Sequence, residues 1–294
     1  MLFVRLRHSL DMIKFEHSVF ALPFALTGAV LAFRQSGDSV AAGWRTLGWI
    51  IVAMVGARSA AMAFNRLIDR DIDARNPRTR GRHLPAKLLS SRFAWVFVAA
   101  SSLVFLFAAW ELNPLCFRLA PLALAILFFY SFTKRFTSLS HLVLGFCLGI
   151  APAAAWIAVR GRIEWPILLL TAAVMFWSAG FDIIYACQDF DFDRSAGLFS
   201  LPARIGIGPA LVVSRVLHVL MLVFLAILAV QMRLGPLSAA GIGVVAVLLA
   251  YEHSLVRPND LSRVNAAFFT MNGWISILFF VSWAADSILR RSPR

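Results

Sequence analysis

Nine stretches of about twenty mostly apolar residues follow one another along the chain, at 17–34, 44–64, 93–111, 115–133, 139–159, 165–187, 207–230, 235–255 and 264–288. A helix rises about 1.5 Å per residue, so each stretch can cross the roughly 30 Å hydrocarbon core of a bilayer. Of the 294 residues, 60% are hydrophobic and 15% charged, against about 45–50% and about 25% in soluble domains. A soluble globule is excluded, and the short connections leave no room for a second soluble domain. The expectation is an all-α polytopic membrane protein with nine transmembrane helices, folded as one integral membrane domain over residues 1–294. Pro23, Pro152 and Gly180 fall inside spans, which membrane helices tolerate when neighbouring groups satisfy the freed backbone atoms.

The net charge of +13 would suggest nucleic acid in a soluble protein, but no zinc-finger spacing or RNA-binding motif is present. Excess Lys and Arg in the cytoplasmic loops of a membrane protein explain it instead. With the amino terminus inside, eighteen basic residues fall on the cytoplasmic face and nine on the other, while Arg58 lies within the second span. That bias predicts a multi-pass protein of the inner, cytoplasmic membrane. The first residues, through Glu16, lack the uninterrupted apolar core and cleavage site of a signal peptide, so no cleaved segment is expected. Cys116, Cys147 and Cys187 stand singly in apolar stretches, which indicates neither a disulfide framework nor a thiolate metal site.

Six of the fifteen acidic residues are concentrated in two short runs. One is Asn65-Arg66-Leu67-Ile68-Asp69-Arg70-Asp71-Ile72-Asp73, after the second span; the other is Tyr185-Ala186-Cys187-Gln188-Asp189-Phe190-Asp191-Phe192-Asp193, at the end of the sixth. Four spans separate them, so both emerge on the same face, which the charge count makes cytoplasmic. Asn65, Asp69 and Asp73 stand at i, i+4 and i+8, as do Tyr185, Asp189 and Asp193, and each trio lines one helical face. Carboxylates at helix carboxyl ends meet the negative end of the helix dipole, and converging two clusters adds like-charge repulsion. A cation must offset this, and Mg2+ fits, because it takes one or two carboxylates while keeping sites for water and phosphate oxygens. Asp71 and Asp191 point to the opposite face and read as solvated or paired with arginine.

Basic loops follow both runs. Arg78, Arg80 and Arg82 come after the first and Arg204 after the second, suited to charge-assisted hydrogen bonds with a diphosphate. Lys134 and Arg135, after Tyr130-Ser131, form a third basic spot on the same face.

These residues resemble the UbiA superfamily of intramembrane prenyltransferases, whose pattern pairs an Asn-x-x-x-Asp-x-x-x-Asp run after helix 2 with a Tyr-x-x-x-Asp-x-x-x-Asp run after helix 6 among nine helices. The likeness covers nearly the whole chain, through NRLIDRDIDARNPRTRGRHLPA, YSFTKRFTSLSHLVLG and FDIIYACQDFDFDRSAGLFSLPARIG. The amino-terminal IKFEHSVFALPFAL is similar to the 4-hydroxybenzoate polyprenyltransferase branch, which includes enzymes acting on 1,4-dihydroxy-6-naphthoate in menaquinone biosynthesis. The resemblance implies Mg2+ on Asn65, Asp69, Asp73, Asp189 and Asp193, with Tyr130, Ser131 and Lys134 near the diphosphate of a polyprenyl donor. Two departures stand out: Arg66 occupies a position often acidic, and Phe199 one that often carries lysine.

The donor's isoprenoid tail belongs in lipid and its diphosphate in water, which a site at the cytoplasmic mouth of a helical bundle accommodates. Departure of pyrophosphate leaves an allylic cation that the electron-rich aromatic ring attacks, and an apolar, aromatic-lined cavity keeps water away from it. An aromatic acid acceptor needs polar partners, for which Lys14, His17, Arg58 and Asp182 are candidates, with Tyr185, one turn after Asp182, a further substrate-binding candidate. Arg58 is read as a partner for the acceptor carboxylate, for Asp182 or for a helix carbonyl, and Asp182 as a proton acceptor. His8, His83, His141, His218 and His253 show no metal spacing and read as surface or packing residues. A divalent-cation carrier would also place acids in helices, but near the bilayer midplane rather than at helix ends. A CDP-alcohol phosphotransferase is disfavoured by the missing Asp-Gly…Ala-Arg lead-in.

Overall fold

The computed structural model describes residues 11–12, 18–36 and 43–290. Among them the chain is helical apart from loops, turns and an isolated bridge between Arg257 and Asp260. Long helices occupy all nine predicted spans: α1 Ser18–Ser36, α2 Trp44–Ile68, α4 Ser91–Leu112, α5 Pro114–Thr133, α6 Ser140–Arg160, α7 Trp165–Ala186, α10 Ile207–Gln231, α11 Pro236–Ser254 and α12 Asn272–Leu289, the last preceded by a π-turn at Ala266–Met271. Three short helices punctuate them, α3 Arg70–Arg75, α8 Phe190–Ser195 and α9 Leu201–Ile205. Eight of the described helices are long and apolar enough to cross a membrane. The short helices lie in the acidic runs and their loops, where apolar periodicity gives way to charge.

The chain divides into two compact units, one built around Gly48–Phe132 and the other from Val19–Leu47 and Thr133–Arg294. In the first, Ala63, Leu84, Leu89, Ala94 and Val98 form the core with Met12. Phe64, the residue before Asn65, stacks on Phe128 at 4.3 Å between ring centroids and meets Trp95 edge-on. Gly56 lets α2 approach α4 closely, since a Cβ there would press on the backbone of Ser101 and Phe105. Many large apolar side chains, Leu103, Phe107, Trp110 and Phe117 among them, are exposed, the surface expected of helices solvated by lipid rather than water.

The second unit is organised around α7, which packs on α6 and α10. Gly145 and Gly149, one turn apart on α6, face the carbonyls of Met175 and Thr171 on α7 so closely that a Cβ at either would clash. This small-residue seam is a common basis for helix association where no water-driven burial is available. Across the middle of the unit, Trp177, Phe24, Phe279 and Trp283 form a continuous aromatic series with successive centroids 4.7, 5.0 and 4.7 Å apart. Pro23 and Pro152 both lie inside their helices, and Thr27 Oγ1 donates to the Pro23 carbonyl at 2.9 Å.

Candidate active site

The two acidic runs share a local architecture. In each, the long helix is interrupted by the first aspartate, Asp69 or Asp189, and a six-residue helix follows. Asp69 has φ −88°, ψ 2° and Asp189 has φ −98°, ψ 9°, both near the sparsely populated bridge region, where active-site residues recur. In the first run the i to i+4 register survives this break, because Asp69 N–H donates to the Asn65 carbonyl and Asp73 N–H to that of Asp69, at 2.9 and 2.7 Å. Asn65 Nδ2 accordingly donates to Asp69 Oδ2 at 3.1 Å. The second run departs from the expected uninterrupted helix: Cys187–Asp189 tighten into a 3-10 turn, as helices commonly do where their last carbonyls lose partners.

Burial separates the carboxylates within each run. Asp69 and Asp73 are each only 3% exposed, whereas Asp71 is exposed and paired with Arg70 at 3.1 Å. Asp189 and Asp193 are partly buried while Asp191 is exposed. Asp193 lies within electrostatic range of Asp189, Lys134 and His141, and its carboxylate is hydrogen-bonded by Ser200.

The basic loops are structured, and this changes one assignment. After Asp73, the carbonyl of Asn76 accepts from the N–H groups of Thr79 and Arg80, and Thr79 Oγ1 donates to the Asp73 carbonyl. The turn returns Arg82 to Asp73, with Nη1 at 2.7 and 2.9 Å from the two carboxylate oxygens. Arg82, expected to face a diphosphate, is therefore an ion-pair partner of a buried acid. Arg78 and Arg80 remain exposed on this loop. In the second unit the segment after the acidic run is fastened to the connection between α5 and α6. Phe199 N–H donates to the Lys134 carbonyl at 2.8 Å, and Arg204, itself exposed, donates to Ser138 Oγ at 3.1 Å.

His141 completes that fastening, a role its sequence context did not reveal. It is buried, with Nδ1 2.6 Å from Asp182 Oδ2, while Nε2 accepts from the Leu201 N–H at 3.2 Å. An Nε2 that accepts cannot carry the proton, so Nδ1–H donates to Asp182. Asp182 thus has His141 as its hydrogen-bond partner. Arg58, midway along α2, has its Nε enclosed without a hydrogen-bond partner, as is the hydroxyl of buried Ser131 at the end of α5. Tyr130 precedes that serine, Lys134 follows α5, and Tyr185 lies in the last turn of α7. Lys14 and His17 lie outside the described residues.

The donor set is one of hard oxygens. Among the described residues no three His, Cys, Asp or Glu side chains gather into a ready-made cage. Two carboxylates per run, with an amide in the first, are what a magnesium ion that keeps water and phosphate oxygens requires. The residues present fit that ion.

The UbiA prenyltransferase family pattern matches residues 21–276. The 4-hydroxybenzoate octaprenyltransferase of Methylobacillus flagellatus is 30% identical over 242 residues, covering 82% of this chain and 81% of that protein. A solved UbiA homolog from Aeropyrum pernix K1 superposes with a TM-score of 0.82 at 34% identity, over 92% of this chain and 98% of its own. A UbiA homolog from Archaeoglobus fulgidus bound to DMAPP and Mg2+ shares the fold, with a TM-score of 0.74 at 20% identity over 96% of this chain and 99% of its own. The two Asn/Tyr-led acidic runs, the multi-pass helical architecture and these matches agree: the chain is a membrane-embedded enzyme that belongs to the UbiA prenyltransferase family.

Proposed function

We propose that the enzyme transfers a polyprenyl group from a polyprenyl diphosphate to a ring carbon of an aromatic acid of the 4-hydroxybenzoate type, in quinone biosynthesis at the cytoplasmic face of the inner membrane. The observation that carries this reading is the repeated helix break at Asp69 and Asp189, each within an acidic run that sequence topology assigns to one face. It is supported by the relatives named 4-hydroxybenzoate octaprenyltransferase and by the fold neighbour bound to DMAPP and Mg2+.

In this reading Asn65, Asp69, Asp73, Asp189 and Asp193 hold magnesium, which when bound supplies positive charge to a departing pyrophosphate. Arg78, Arg80, Lys134 and Arg204 add charge-assisted hydrogen bonds, with Tyr130, Ser131 and Tyr185 beside the diphosphate. Arg58, whose Nε is enclosed without a partner, pairs with the acceptor carboxylate, a planar match for a guanidinium. His17, by its place in the sequence, is a further candidate for binding the acceptor. Asp182, whose Oδ2 holds His141, takes the proton released when the ring regains aromaticity. Helix-packed apolar side chains keep water from the allylic cation until carbon–carbon bond formation consumes it.

The test is a membrane assay with geranyl diphosphate and either 4-hydroxybenzoate or 1,4-dihydroxy-6-naphthoate, each with magnesium or EDTA. Magnesium-dependent prenylated product is expected, and Asp69→Ala and Asp189→Ala should each abolish it. Full activity in both variants would refute the metal assignment. Cation flux into proteoliposomes without any prenyl product would favour a carrier, and the preferred acceptor identifies the quinone.

A further inference from the structure

The carboxyl-terminal part of the second unit contains a polar cluster that neither acidic run uses. Glu252, at the end of α11, is fully buried, as is Asn272 at the start of α12. Asn272 Nδ2 donates to Glu252 Oε1 at 3.4 Å, to the Phe268 carbonyl at 3.0 Å and to the Ala267 carbonyl at 3.3 Å. Both carbonyls belong to the π-turn Ala266–Met271. Such a turn breaks the regular i to i+4 ladder, and π-turns occur frequently at functional sites. Here the backbone N–H of Asn272 goes to the Phe269 carbonyl, and the side chain of the same residue serves Phe268. Asn272 is therefore the residue that ties the turn together, and Glu252 Oε1 is the acceptor beyond it.

The turn carries two consecutive aromatic rings onto the second acidic run. Phe268 lies 4.2 Å from the Tyr185 ring between centroids and Phe269 lies 6.0 Å from it, edge-on, while Phe268 also meets Phe181 at 5.2 Å. Adjacent residues of a regular α-helix diverge by about 100°. Tyr185 heads the sequence that reaches Asp189 one turn later, through the 3-10 turn at Cys187–Asp189.

We propose that Asn272, braced by Glu252, is a positioning residue for Tyr185: it fixes the π-turn that holds Phe268 and Phe269 against that ring, and so sets where Asp189 is presented. The consequence for catalysis rests on the reading that Asp189 binds the donor's diphosphate. The contact to Asn272 needs an acceptor at position 252 rather than a charge, so glutamine substitutes for Glu252 and leucine does not.

The chain has three tyrosines, Tyr130, Tyr185 and Tyr251, so 3-fluorotyrosine labelling of the full-length protein in nanodiscs yields a simple fluorine spectrum in which Tyr185→Phe identifies one resonance. That resonance should shift in Asn272→Leu and Glu252→Leu, and stay in place in Glu252→Gln and in the control Ser238→Ala. Donor kcat/KM should fall about tenfold to a hundredfold in the two leucine variants, the scale of a small misplacement of a reacting group, and recover in Glu252→Gln. Should Asn272→Leu fail to fold, Glu252→Leu and Glu252→Gln carry the comparison alone. An unmoved Tyr185 resonance in a folded leucine variant, or a Glu252→Gln enzyme as impaired as Glu252→Leu, would overturn the proposal. Activity surviving Asp189→Ala would instead refute the diphosphate reading and leave the Tyr185 resonance to decide the positioning.

Discussion

His141 Nδ1 and Asp182 Oδ2 lie 2.6 Å apart, joining the first turn of α6 to the last turns of α7. Because His141 Nε2 also accepts from the Leu201 N–H, one imidazole links the proposed proton acceptor to α9, the short helix that carries Arg204. Asp182→Asn keeps an oxygen to accept from His141 and removes the basic carboxylate. Its kcat should fall about a hundredfold, in the range of a lost general base, with donor KM unchanged. His141→Leu should mainly raise donor KM, because it frees Leu201. Steady-state kinetics of both variants separate the roles, and an Asp182→Asn enzyme with wild-type kcat would remove Asp182 from proton transfer.

Asp71 and Asp191 provide the contrast within the same runs. Both are exposed, and Asp71 is engaged by Arg70, an exposed pair worth no more than about 1 kcal/mol. Asp71→Asn and Asp191→Asn should each keep activity within about twofold of wild type and leave the magnesium dependence unchanged. A loss comparable to that of Asp69→Ala in either would show that the alternating burial of these aspartates does not mark the metal-facing side.

Helix positions were legible in the sequence because long apolar runs admit one solution in lipid, and Asp69 and Asp189 were legible because the same spacing occurs twice. The alternation between buried Asp69 and Asp73 and exposed Asp71 followed from helical periodicity. What escaped depends on contacts between distant positions. His141 and Asp182 are 41 residues apart, and a lone histidine has no spacing to mark it. Arg82 reaches Asp73 only through a turn built from backbone hydrogen bonds around Asn76. The 3-10 break at Cys187–Asp189 adds no residue and changes no hydrophobic pattern. Glu252 stands near the end of its span, where a single acid reads as reaching for water, yet it is fully buried and bonded by Asn272 at the start of α12.

Glu164, between α6 and α7, gives the fold a pH dependence separable from catalysis. Hydrogen bonds from Arg160 hold its carboxyl well below the usual range, at about 2 against 4.5, with Arg162 and the Trp156 indole contributing and desolvation opposing them. A carboxyl depressed by folding stabilises the native state above its unfolded pKa, and the contribution disappears as pH falls from about 4.5 through about 2. Glu164→Gln should therefore melt a few degrees below wild type at neutral pH, with the gap closing across that acid window. Thermal unfolding in detergent at several pH values measures it; a gap that stays constant with pH would exclude the carboxylate as its source.

The seam between α6 and α7 predicts opposite effects for the same substitution at different glycines. Replacing glycine by alanine in an open helix reduces the freedom of the unfolded chain and stabilises by about 0.4–1 kcal/mol. Gly48, on α2, has nothing within 4 Å of the point where an alanine methyl would stand, so Gly48→Ala should raise the melting temperature or leave it unchanged. At Gly145 and Gly149 the added methyl meets the carbonyls of Met175 and Thr171, backbone atoms that cannot rotate aside. Separating the helices loosens the support of α7, and overpacking of this kind costs about 1–3 kcal/mol. Gly145→Ala and Gly149→Ala should each lower the melting temperature followed by circular dichroism in detergent. If all three variants were stabilised alike, the close approach of α6 to α7 would be wrong.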